Sequence, residues 1–360
     1  MLKLYTYRLP FRQPMATAAG TFYNREGLLL RYCDDTLDLV SEIAPLPGFS
    51  NESLDEALAQ VGSIRGEILE LLSGQFTLQS ISEWIRRQTL YPSVEFGLSS
   101  IGLSVISHRE RAPLHSLINL PEIHPVSVNA VLGLMDADTF EKKAVKYIGE
   151  GFHVLKCKVT SEPGHLPLTI RKLAEKYPDI SFRLDANRSW PIDALNHLST
   201  LFEGLPVEYI EEPCFTNSLD QFNTVVATCR IPVAADESVI HHGLDNVIKH
   251  VQPLPYLIVK PMFFGNLIEL FATIRHQYHL ENRVIVTTAL ESAVGRRMVA
   301  MAASLAGSRE MAHGLNTGPL LSDDLAEDII LKKGTFNPGP RFKGWYNFQD
   351  IDHTFLRSVW

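Results

Sequence analysis

The sequence predicts an α/β fold, a (β/α)8-type barrel with an N-terminal α+β capping domain. Three observations predict it. From about residue 126, short runs rich in Val, Ile and Leu recur at nearly constant spacing. Segments whose apolar residues repeat at helical spacing separate those runs. The first 115 residues lack this rhythm and read as strands followed by helices.

In chain order, LKLYTYRLPF, GLLLRY and LDLVSEIAP read as strands of an antiparallel sheet. SNESLDEALAQVGSIRGEILELL reads as one amphipathic helix with Asn51 or Ser53 as its N-cap. VEFGLSSIGLSVISHRE reads as a second, more buried helix. The barrel runs follow: VSVNAVLG, FHVLKCKV, ISFRLDAN, VEYIEEP, IPVAADES, YLIVKP, RVIVTTAL and MAHGL, anchored 24 to 29 residues apart. Between them lie PLTIRKLAEKY, PIDALNHLSTLF, NLIELFATIRHQYHL and SAVGRRMVAMAASL. Strands alternating with helices imply a parallel sheet, and eight such units match a closed barrel. An open doubly wound sheet is the alternative, but it would carry a glycine-rich first turn that is absent here. The expected division is 1–120 for the cap, 121–320 for the barrel, and 321–360 for a segment returning to the cap.

Composition narrows the function. The 360 residues hold 33 Lys plus Arg against 41 Asp plus Glu, a formal charge of −8. That balance, with no basic run, argues against nucleic acid as a partner. Cys33, Cys157, Cys214 and Cys229 show no paired spacing and read as reduced thiols. MLKLYTYRLPFRQP lacks the apolar core of a signal peptide, and no stretch reaches the ~18 apolar residues of a membrane helix. The expectation is a soluble, cytoplasmic protein acting on a small molecule.

Barrel chemistry sits at the C-terminal ends of strands, where this sequence places its charges. Run two ends in Lys156-Cys157-Lys158, run three in Asp185-Ala186-Asn187, and run four in Glu211-Glu212-Pro213. Run five ends in Asp236-Glu237 and run six in Lys260-Pro261. Any one could be a solvated loop charge; five in succession point to a site. Residues two apart share a strand face, so Lys156 and Lys158 point one way, as do Asp185 and Asn187. Asp185, Glu211 and Asp236 are expected to converge with no cationic partner between them. Hard carboxylate oxygens favour Mg2+, with Mn2+ as the alternative, over zinc. Flanking lysines suit proton abstraction beside a metal-bound carboxylate, and Lys156 with the metal would favour the neutral form of Lys158.

KxK, DxN, EEP, DES and a lysine before proline at the sixth strand, in that order, resemble the enolase superfamily. A Lys or His base beside Mg2+ is the known pattern of that superfamily. The sixth-strand lysine, without an Asp–His pair, resembles its muconate-lactonising subgroup. EIAPLPGFSNES, VEFGLSS, RLDANRSW, EYIEEPC and TTALESAVG together resemble the o-succinylbenzoate synthase family. The resemblance implies Asp185, Glu211 and Asp236 as metal ligands, with Glu212 and Glu237 supporting them. It implies Lys158 as the acid/base, Lys260 on the opposite face, and Lys156 as electrostatic support. Arg183, Asn187, Thr288 and Ser292 become candidates for substrate contact, with a buried ion-pair partner as the equal alternative for the deeper Arg183. Segments around 14–20 and 45–50 would close the site. The implied reaction is a dehydration through an enediolate. Racemisation of N-succinylamino acids or epimerisation of dipeptides by the same lysines remains open, as does a non-catalytic binding relative. A glycoside hydrolase leaves the lysines unexplained.

Overall fold

The computed structural model describes residues 1–17, 20–120, 122–276, 283–339 and 342–360. Residues 18 and 19 of the expected closing segment and 277–280 of NLIELFATIRHQYHL therefore lie outside the described residues.

Three long strands, β1 (Leu2–Thr17), β2 (Gly20–Cys33) and β3 (Asp38–Ile43), form an antiparallel sheet with Leu4 opposite Leu30 and Leu28 opposite Ile43. Alternation sends Leu2, Leu4, Leu28 and Leu30 toward the cap helices. Tyr7, Leu9, Leu29 and Val40 face the other way, against Leu321, Leu325 and Phe348 of the C-terminal segment. The helix expected from Ser50 onward is two helices, Leu54–Ser63 and Arg65–Ser73, broken at Ile64. Gly62 and Ser63 are weak helix formers, and they lie where the axis bends. Ser53 caps the first helix and exchanges hydrogen bonds with Glu56. The helix Pro92–Glu110 is buried from Ser93 to Ser107 apart from the half-buried Glu95, with Pro92 at its first turn.

A short strand β4 (Val126–Ser127) precedes seven parallel strands. These are β5 (Ala130–Leu132), β6 (Val154–Lys158), β7 (Ser181–Asp185), β8 (Val207–Glu211), β9 (Val233–Ala235), β10 (Tyr256–Val259) and β11 (Val284–Val286). They hydrogen-bond in sequence order, β5 at one edge and β11 at the other. The eighth run, MAHGL, forms no full strand. It closes the barrel through isolated parallel bridges, His313 to Val128 and Gly314 to Thr287. The His313 N–H donates to the Ser127 carbonyl at 2.7 Å, and the Gly314 N–H to the Val286 carbonyl at 3.0 Å. Inside the barrel, Tyr209, Ala234, Ile258 and Ile285 form a core separate from the one beneath the surrounding helices.

The remaining chain forms β12 (Leu331–Lys332), β13 (Thr335–Phe336), β14 (Tyr346–Asn347) and β15 (Leu356–Ser358). β13 pairs with β4 at the entry to the barrel. β14 and β15 pair with β3 and β1, giving the cap sheet the order β14-β3-β2-β1-β15. No helix among the described residues is long and apolar enough to cross a membrane.

Candidate active site

Parallel register assembles the charges. Lys158 lies opposite Asp185 and Asp185 opposite Glu211, so three ionisable groups share one level at the strand ends. Phe182 and Leu184 point outward into apolar packing, which leaves Arg183 and Asp185 facing the barrel axis. Asp236 follows β9 by one residue and Lys260 follows β10 by one.

The carboxylates do not meet without cations, contrary to the sequence expectation. The Lys156 ammonium lies between Asp185 and Glu211, with Nζ 2.9 Å from Asp185 Oδ2 and 2.5 Å from Glu211 Oε2. Lys260 Nζ donates to both oxygens of Asp236, at 2.7 and 2.6 Å. Carboxylates this deep need neutralising charge, and the nearest ammonium groups supply it. Burial works against the Lys156 proton, but Asp185, Glu211 and Asp236 outweigh it and raise its pKa well above the ordinary lysine value. Lys260 is raised in the same way, burial being outweighed by Asp236 and Glu237. Burial pushes Glu211 up to about 7, with Asp185 and Asp236 adding to it against Lys156. Asp185 is lowered, because Lys156 overcomes its burial.

Lys158 differs from the other two. It is exposed, lines a cavity of about 160 Å3 with Gly133, Leu134, Val159 and His165, and has no hydrogen bond or ion pair among the described residues.

Glu212 turns away from this level. Its carboxylate accepts from the Asp236 N–H at 3.0 Å, the Ser238 N–H at 3.3 Å and the Ser238 hydroxyl at 2.5 Å, fixing the turn that carries Asp236. Burial pushes it up to about 7. Glu237 is pushed up to about 8, by burial and then by Asp236 and Glu212, and lies 3.7 Å from Arg188. Asn187 is exposed at φ 43°, with its N–H on Asp185 Oδ1 at 3.3 Å.

Three expected substrate contacts are occupied elsewhere. Arg183 is fully buried one level below, donating to Glu208 Oε2 at 2.6 Å and the Ala312 carbonyl at 2.6 Å, with its guanidinium over Tyr209. Its position two residues before Asp185 sets it one step down the barrel axis, out of reach of the mouth. Ser292 is buried too. Its hydroxyl and N–H donate to Glu42, and it caps the helix Ala293–Ala306. Thr288 donates to the Gly314 carbonyl at 3.1 Å and meets the Thr317 hydroxyl at 2.9 Å, so it stitches the barrel closure.

The structure adds residues that sequence reasoning passed over. Arg188, next to Asn187, reaches Glu237 and stands over exposed Phe215. Phe49, from the cap loop 45–50, stacks on Phe263 at 6.5 Å, and Lys260 Nζ lies 6.0 and 5.9 Å from the two rings. Glu42 and Arg25 are buried charges between cap and barrel. A charge inside the apolar strand LDLVSEI was the available signal for Glu42.

By donor chemistry, the three carboxylates suit a hard divalent cation: oxygen only, no thiolate and no imidazole. As the side chains stand, the lysines hold those oxygens, and among the described residues no group of three or more His, Cys, Asp or Glu is arranged to hold a metal. All four cysteines are free, as expected.

Comparison with known proteins places the chain in a family. Residues 1–104 match the MenC N-terminal domain, and residues 139–337 match the enolase C-terminal domain-like family. An o-succinylbenzoate synthase of Vibrio cholerae serotype O1 is 28% identical over 304 residues, 82% of this chain and 83% of the relative. The fold is shared with muconate lactonizing enzyme from Pseudomonas fluorescens, solved with muconolactone, at TM-score 0.80 and 18% identity over 99% of this chain and 98% of the other. It is also shared with an enolase superfamily member from Roseovarius nubinhibens, solved with magnesium, at TM-score 0.78 and 16% identity over 100% and 97%. The chain belongs to the enolase superfamily, and its relatives there include o-succinylbenzoate synthases.

Proposed function

We propose that this enzyme is an o-succinylbenzoate synthase of menaquinone biosynthesis. It would dehydrate 2-succinyl-6-hydroxy-2,4-cyclohexadiene-1-carboxylate to 2-succinylbenzoate by syn elimination. The observation that carries the reading is Lys158: of three lysines at the strand ends, it alone faces the mouth without a carboxylate partner. Its amine takes the proton from the carbon beside the substrate carboxylate, leaving an enediolate. The C–O bond on the same face then breaks, and the Lys158 ammonium returns that proton to the departing hydroxide as water. One residue closes the proton balance, and aromatisation drives the step.

Asp185, Glu211 and Asp236 would hold Mg2+, or Mn2+, which when bound stabilises negative charge developing on the substrate carboxylate. Lys156 keeps its proton between Asp185 and Glu211 and balances their charge. Lys260, four strands further round the barrel from Lys158, stays protonated and faces the anionic ring from the other side. Glu212 holds the turn behind Asp236, and Glu237 faces Arg188. Asn187, exposed beside Asp185, is available to a substrate oxygen. Residues 1–120 act as the cap, 121–320 as the barrel, and 321–360 as the segment that returns to the cap.

A second reading rests on Lys260 itself, because a racemase of succinylated amino acids, or a dipeptide epimerase, needs a base on each face. The o-succinylbenzoate synthases among its relatives favour dehydration, in which that lysine need not titrate. The test is turnover of the diene carboxylate by purified protein with Mg2+ and then with a chelator. Metal-dependent aromatisation is expected, and Mg2+ should raise the melting temperature of the wild type but not of Asp236→Asn. No turnover, with α-proton exchange of N-succinylamino acids in deuterated water, would replace this reading with the racemase.

A further inference from the structure

We infer that Arg25 is a positioning residue for the site: it clamps the cap loop that carries Phe49 to the barrel, and so sets the apolar wall against which Lys260 stands. The inference rests on the reading of Lys260 given above. Arg25 is a fully buried guanidinium whose donors all end on carbonyls, not on carboxylates. Nη2 donates to the Ala44 carbonyl, and Nη1 to the Pro45 carbonyl at 2.7 Å and the Glu26 carbonyl at 2.9 Å. Nε reaches across to the barrel and donates to the Leu290 carbonyl at 2.9 Å. A rigid planar fork presents its donors in fixed directions, so it holds several carbonyls of two chain segments in one geometry.

Both of those segments need holding. Ala44 and Pro45 open the loop that ends in Phe49 and Ser50, and Phe49 is the ring that meets Phe263 beside Lys260. Leu290 sits at φ 64°, a conformation that costs a branched residue energy and persists only when its surroundings enforce it. Glu42 completes the seam from the other side. It accepts from Tyr7, from the Ser292 N–H at 2.9 Å, from the Ser292 hydroxyl at 2.5 Å and from the Gly295 N–H at 2.7 Å. A carboxylate of the cap thus terminates a helix of the barrel. A Cβ on Gly295 would stand 2.9 Å from Glu42 Oε2, so glycine is required for that approach. Arg25 and Glu42 therefore join the cap to residues 290–295 at two adjacent points, and Phe49 projects from the joined piece.

Arg25→Met, Phe49→Ala and the double variant test this. Arg25→Met should lower kcat about tenfold or more, with KM changed less than about threefold, because the loss is one of placement rather than binding. If Arg25 acts through Phe49, the double variant should lose no more than the worse single. Amide exchange should quicken in 44–50 and 288–292 while β2 and the barrel strands keep their protection. Should Arg25→Met fail to fold, Arg25→Lys carries the same measurements. Wild-type kcat in the variant, multiplied losses in the double variant, or exchange that rises uniformly would each overturn the clamp. If the wild type does not turn over the diene carboxylate, the proposed function fails on its own. Local quickening of exchange then still upholds the clamp, and unchanged or uniform exchange overturns it.

Discussion

Lys156, Lys158 and Lys260 are the same side chain in three different electrostatic settings. Two are enclosed by carboxylates and one is open to the cavity. Lys158→Ala should therefore lower turnover by about 10²–10⁴-fold while leaving the melting temperature near that of the wild type. A fully active variant would remove the assigned acid/base. His313 invites a test of a different kind. Its Nδ1 accepts the Val286 N–H at 3.0 Å and its Nε2 meets the Ser308 carbonyl at 2.9 Å, an arrangement only the neutral ring can make. Burial pulls its pKa down to about 4, below the ~6.5 of an exposed imidazole. The unfolded chain then binds more protons between those values, so the contribution of His313 is intact above about pH 6.5 and lost as pH falls toward 4. Melting temperature should fall across that window more steeply in the wild type than in His313→Gln; equal slopes would count against it. The charged strand ends were legible as residue types at residue spacing. The surroundings of Thr288 and Ser292 were not, since their partners, Gly314 and Glu42, lie on other segments; for Arg183 a buried ion pair was one of two readings, and its partner is Glu208.

At the scale of elements, local pattern predicted strands well and interruptions poorly. The runs of Val, Ile and Leu became β5 to β11 because a barrel strand is buried on both faces. The eighth run did not become a strand, since its pairing reduces to single bridges. The break at Ile64, just after Gly62 and Ser63, interrupts a pattern that reads as one helix. Gly151, at φ 90°, faces the turn of the hairpin of β12 and β13 so closely that a Cβ would stand 2.6 Å from Lys333 Cα. Gly151→Ala should destabilise the protein by at least about 1–3 kcal/mol from backbone strain alone, measured by urea unfolding. An unchanged midpoint would mean that the hairpin is free to move aside.

For the molecule as a whole, the cap sheet is assembled from both ends of the chain. β14 and β15 form its two outer strands, so the sheet is incomplete until residues 346–358 have returned. Truncation after Lys343 should bare the edges of β1 and β3. A lower melting temperature and a rise in light scattering are expected, and a monodisperse protein with the wild-type melting temperature would show the outer strands to be dispensable. Two buried charges then tie this sheet to the barrel, which places the loop with Phe49 beside Lys260.

Composition, periodicity and the order of charged motifs were enough, by themselves, for a barrel behind a cap, for charges gathered at one level of its strand ends, and for the family. Those properties depend on which residues recur and how far apart, and spacing along a chain is sequence information. Tertiary structure alone decided which ammonium pairs with which carboxylate, which hydroxyls are spent on the scaffold, and that Arg25 and Glu42 join the two parts. Each of these is a contact between segments as much as 265 residues apart, settled only when register and closure bring the partners within hydrogen-bonding distance.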